Sequence, residues 1–181
     1  LLIGFFLATR IEQSTYRAIQ VYGLSFFERP QALFILALLL ISVGAGMSPQ
    51  VTRLSDIGFE AAARLLARHG LALAEVAPGT PIPGSYWGDD EAGIIGCTVH
   101  ARPDTPVHSL LHEAGHLMVL PPERRARVHT DATDSVAEED ATCYLQIVLA
   151  DLLPGVGRAR LMADMDAWGY SFRLGSTRAW F

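Results

Sequence analysis

The stretch that most restricts how this chain can fold runs from Val107 to Leu120. It is largely apolar, it follows Asp104-Thr105-Pro106, and it is stopped by Pro121-Pro122. A capping residue followed by proline starts a helix and a proline pair ends one, so the sequence predicts a helix here. Inside it stands His112-Glu113-Ala114-Gly115-His116, flanked by Leu110, Leu111, Leu117 and Met118, which can bury one side. Residues four apart share a helix face, so His112 and His116 aim two imidazoles at one point. Such a pair supplies two ligands of a tetrahedral zinc, leaving places for a third protein ligand and a water. Glu113 lies one step round from His112, badly placed to share the ion and well placed to reach that water. The chemistry implied is hydrolysis: zinc acidifies the water, Glu113 takes its proton, and the hydroxide attacks a carbonyl. Histidines satisfied within an apolar core are the competing account. The start signal, the stop signal and the central place of the motif favour the metal.

A chain of 181 residues suffices for one domain with a sizeable core plus an extension. Its net charge of −5 argues against a nucleic-acid footprint. Every basic residue is arginine, a coding preference without structural meaning on solvated surfaces. Cys97 and Cys143 are the only cysteines; they permit one disulfide, and without C-x-x-C spacing they do not form a zinc knuckle.

Residues 1–47 read as an apolar N-terminal segment and residues 48–181 as the domain proper. The chain starts without methionine, which suggests a fragment or a processed product. Ala32 to Met47 is apolar or small throughout, inside an uncharged gap of 23 residues between Arg29 and Arg53. About 20 apolar residues span a bilayer. The segment therefore reads as a membrane anchor, as a signal-peptide core with Val43-Gly44-Ala45 as the cleavage site, or as a buried helix. Membrane association through residues 32–47, or export, follows from the first two. If Met47 is the true start, the protein is cytoplasmic.

Further on, Ser55 or Asp56 caps a predicted helix that runs to about His69 and closes at Gly70. Leu71 to Val76 reads as a short strand, and Ile94 to Arg102 as a β-branched strand feeding the His112 helix. A helix is expected from about Ser135 to Leu153, another from Arg158 to Trp168, and an irregular tail after it. The third zinc ligand should come from His129, Glu138, Glu139 or Asp140. Ala141, Leu145, Val148 and Leu152 form an apolar stripe, and Glu138 continues it one turn earlier. A buried carboxylate is costly unless compensated, which a metal would do. Ser135-Val136-Ala137-Glu138 also fits the capping box S-x-x-E, the competing role for Glu138, and His129 is the rival ligand. Tyr144, His129 and Arg124 could stabilise an oxyanion, and Asp131 or Asp134 could orient a zinc-bound histidine.

The order of strand, H-E-x-x-H helix, loop and a helix opening Glu138-Glu139-Asp140-Ala141 resembles the glutamate-zincin metallopeptidases, most nearly the ImmA/IrrE-type group, over roughly residues 55 to 153. The resemblance implies that the first glutamate of E-x-x-A, here Glu138, is the third ligand. Thr142-Cys143-Tyr144 departs from the asparagine and phenylalanine pattern often found there. The fold expected is α+β: a small zincin-like sheet packed on the His112 helix and on a second, ligand-bearing helix. The function expected is zinc-dependent hydrolysis of a peptide or protein substrate. His112, His116 and Glu138 would hold Zn2+, with Glu113 as general base, and substrate would add to the strand beside the cleft. A non-catalytic module with structural zinc, acting in partner or membrane binding, is the reading from a different class.

Overall fold

The computed structural model describes residues 50–86 and 88–181. The apolar segment 32–47, the stretch before it and Trp87 lie outside the described residues. Gln50–Phe181 forms one compact unit, of mixed α and β structure. Its elements in order are α1 (Leu54–Ile57), α2 (Phe59–Ala67), β1 (Ala72–Glu75), β2 (Gly93–Ile95), β3 (Thr98–Ala101), α3 (Val107–Val119) and α4 (Pro122–Arg125). There follow α5 (Val136–Leu149), a 3-10 turn (Ala150–Leu152), α6 (Gly157–Trp168) and α7 (Thr177–Trp180). Among the described residues no helix is long and apolar enough to cross a membrane.

Helix α3 sits between two hydrophobic clusters. Leu110, Ala114 and Leu117 pack with Leu54, Leu66, Ile94 and Val99 on the sheet side. Val107 and Leu111 pack with Ile147, Leu161 and Met165 on the side of α5 and α6. A helix apolar on this much of its circumference has to be central. The remaining face carries His108, His112 and His116.

The sheet is three strands in the order β1-β3-β2, with β1 parallel and β2 antiparallel to β3. The single strand expected over Ile94–Arg102 is in fact the hairpin β2–β3, folded at Gly96-Cys97, where Gly96 has φ +57. The helix expected from Ser55 to His69 is broken at Gly58, whose φ of +80 a side chain would resist. The proline expected inside the first turn of α3 is its N-cap instead. Pro106 lies outside the helix, and the freed Val107 N–H donates to the Thr52 carbonyl.

β2 lies beside α3, but its outer edge is already paired. Ile94 N–H donates to the Gly84 carbonyl at 3.1 Å, Thr130 N–H to the Ile94 carbonyl at 3.0 Å, and Gly96 N–H to the Val128 carbonyl at 2.8 Å. The expected addition of a substrate strand here meets an edge that the chain itself has filled.

The stripe assigned to α5 is also corrected. Its buried residues are Thr142, Gln146, Ile147 and Leu149, whereas Ala141 and Leu152 are exposed. Thr142 is buried because α3 approaches closely there. A Cβ on Gly115 would come within 3.1 Å of Thr142 Cγ2. This close crossing brings the face Glu139–Thr142–Gln146 against the histidines.

Candidate metal centre

One turn of α3 separates His112 from His116, and their Nε2 atoms lie 3.0 Å apart, with the ring planes near perpendicular at 84°. From the facing helix, Glu139 places Oε2 3.6 Å from His112 Nε2 and Oε1 3.6 Å from His116 Nε2. A tetrahedral zinc with bonds of about 2.0–2.1 Å separates two donor atoms by about 3.3 Å, close to the spacing of the two Nε2 atoms, while Glu139 offers a different oxygen to each ring. Glu113 belongs to the same cluster: donor atoms of His112, Glu113 and His116 all lie within 4.8 Å of one another.

Glu138 is elsewhere. Its carboxylate takes a two-pronged contact from Arg124, at 2.5 and 3.0 Å, and a hydroxyl from Thr133. Its backbone N–H is capped by Ser135 Oγ. The Arg124 guanidinium is the main reason its carboxyl is held below the usual range, with the Thr133 hydroxyl next. Successive helix residues differ by about 100° in direction. When Glu139 faces the histidines, Glu138 therefore faces the α4 loop. His129 is exposed, hydrogen-bonds Thr130 Oγ1 through Nδ1, and is no part of the donor cluster. Asp140 is exposed. A signal for Glu139 existed in the sequence: Glu139, Thr142, Cys143 and Gln146 recur at helical spacing, and a helix facing two histidines has to present polar groups.

The electrostatics of the cluster suit a cation. Burial drives the His112 pKa down to about 3, with His116 adding to the effect, and drives His116 and His108 down to about 4. At neutral pH these rings are uncharged, the form that binds metals. Burial pushes Glu113 up to about 8, helped by Glu91, Glu139 and Asp131, and pushes Glu139 up to about 7, helped by Asp131. Buried carboxyls crowded together resist ionising until a positive charge joins them.

This pattern sets the pH dependence of the metal-free protein. Each histidine binds its proton less well folded than unfolded, so stability is lost as pH falls from about 6.5 towards 4. Glu113 and Glu139 bind theirs better folded, so stability is lost as pH rises from about 4.5 through 7 to 8. Between about 4.5 and 6.5 three histidines outweigh two carboxyls, which places the optimum near pH 6.5. The slope is up to about 1.4 kcal/mol per pH unit for each fully shifted buried group, and less for half-buried Glu139. Melting in chelator between about pH 5 and 9 should therefore show Tm falling on both sides of that optimum; a Tm still rising at pH 9 would contradict the assignment.

Tyr170 was not singled out in the sequence, because the chain after Trp168 reads as irregular. Gly169, with φ +98, ends α6 and turns the chain back. The Tyr170 ring then lies 6.1 Å from that of His112 and 5.5 Å from that of His108. Burial chiefly, and then Cys143, Glu91, Glu113 and Glu139, keep its phenol protonated. Among the described residues its hydroxyl has no hydrogen-bond partner. The residues first considered for oxyanion contact are occupied elsewhere: Tyr144 is half exposed and stacks on Phe181, and Arg124 holds Glu138. Cys97 and Cys143 are both free, and burial pushes the Cys143 thiol up to about 12, which keeps it protonated and a poor nucleophile. Compared with protein-family models, curated proteins and solved structures, the chain gives no match.

Proposed function

We propose that this chain is a zinc-dependent peptidase of zincin-like fold, with His112, His116 and Glu139 as ligands and Glu113 as general base. The observation that carries the reading is the convergence of two histidine Nε2 atoms and a carboxylate from a second helix beside a partly buried glutamate. The likeness to the ImmA/IrrE-type layout extends to the order of elements. The E-x-x-A glutamate itself, Glu138, is engaged by Arg124, and its neighbour takes the ligand role.

When bound, zinc supplies Lewis acidity, polarising a carbonyl and acidifying a water. Glu113 takes the proton of the attacking water and later delivers it to the leaving group, which suits an amide, whose amine must be protonated to depart. Tyr170, with a protonated and unengaged hydroxyl, donates to the carbonyl oxygen as negative charge grows there.

The test is metal content together with peptide cleavage by the whole chain. We expect about one zinc per chain at neutral pH and hydrolysis of members of a mixed peptide library. Tyr170→Phe should keep the zinc and lower kcat by about 100-fold. Failure to take up zinc at neutral pH would sink the proposal.

A further inference from the structure

The sides of the two histidines that face away from Glu139 meet α5 as well. Thr142 Oγ1 lies 3.3 Å from His116 Nδ1, in a buried contact. His112 Nδ1 is buried, as is Gln146 Oε1, and neither has a hydrogen-bond partner among the described residues. Gln146 favours a proton on the His112 ring, in opposition to the larger effect of burial. The other end of the carboxamide is fixed, because Nε2 donates to Met165 Sδ at 3.1 Å. Sulfur only accepts, so the amide nitrogen belongs on that side and the oxygen is left for His112. Gln146 and Thr142 are both fully buried, on a face of α5 that continues from Glu139.

We propose that Gln146 and Thr142 are the positioning residues of this centre: they accept the Nδ1 protons of His112 and His116 and so turn both Nε2 lone pairs towards one point. The inference rests on the metal site argued above. A neutral imidazole carries one proton, and the hydrogen bond on one nitrogen decides which nitrogen is free to bind. With both protons on Nδ1, the two Nε2 atoms face each other across 3.0 Å without a hydrogen between them, an arrangement that a cation relieves. One face of α5 thus provides the third ligand and both outer partners, while α3 provides only the rings.

The test is zinc affinity of the full chain at neutral pH, by competition with a chromophoric chelator. Gln146→Leu keeps the volume and removes the acceptor, and should weaken zinc binding by about 10- to 100-fold. Gln146→Glu offers a stronger acceptor at the same reach and should bind zinc at least as tightly as the wild type. Thr142→Val should weaken binding about 10-fold, with Thr142→Ser restoring it. A packing role alone would lower the Tm of the metal-free protein and leave these affinities together. Gln146→Leu and Thr142→Val both folded and within about 3-fold of wild type would overturn the proposal. Should Gln146→Leu fail to fold, Gln146→Glu decides, and binding about 10-fold weaker than wild type overturns it. A wild type that takes up no zinc defeats the metal centre and this inference together. A wild type that binds zinc with indifferent variants defeats only this inference.

Discussion

Replacing Glu139 by glutamine is expected to empty the metal site, and replacing Glu138 by glutamine to leave it full. Among the described residues, Glu139 alone is paired with both histidines from outside their helix, with a different oxygen 3.6 Å from each Nε2. A carboxamide of the same shape keeps the reach and loses the negative charge. Zinc affinity should fall by more than about 100-fold, a larger loss than removal of an outer hydrogen-bond partner brings. Glu138 spends its charge on Arg124 and its backbone on Ser135. Its glutamine variant keeps the cap and loses only a partly exposed ion pair, so zinc affinity should stay within about 3-fold of wild type. His129→Ala should be equally silent. The opposite ranking, with Glu138→Gln empty and Glu139→Gln full, would return the ligand role to Glu138.

Glu113→Gln should retain zinc and lose turnover. General-base catalysis contributes about 10²- to 10⁴-fold, and kcat should fall by that factor while zinc content stays at wild-type level. The variant has a second, independent signature. Glu113 titrates near 8 in the metal-free protein, because burial and its acidic neighbours oppose its charge. Glutamine carries no charge to oppose, so the metal-free variant should lose less stability than wild type as pH rises from about 4.5 to 8. Wild-type turnover in the glutamine variant would strip Glu113 of its role; loss of zinc as well would make it a ligand.

The parts of the fold readable in the sequence were those set by neighbours along the chain. α3 announces itself through Pro106, Pro121 and the spacing of His112 and His116. α5 announces itself through Ser135, whose hydroxyl accepts the Glu138 N–H, and through Pro154 beyond its end. In the proposed centre the third ligand sits one residue beyond the one the aliphatic positions of α5 point to. Its buried face includes Thr142 and Gln146, which are polar because they meet the histidines. The hairpin was hidden inside a β-branched run interrupted only by Gly96-Cys97, and the break at Gly58 inside a helical period. Tyr170 could not be reached from local pattern at all. It comes to His112 through the turn at Gly169 and the packing of α6, contacts that span more than fifty residues.

The filled edge of β2 bears on what such a hydrolase could choose to cut. A peptide laid along an open strand is gripped through its main chain, and main-chain hydrogen bonds are the same for every sequence. Here Gly84, Val128 and Thr130 already hold those positions. Binding must then draw on side-chain contacts, which differ from one peptide to the next. On the proposed reading, the sealed edge would favour a narrow cutter, one that reads a particular shape at the scissile bond, over a scavenger of extended chains.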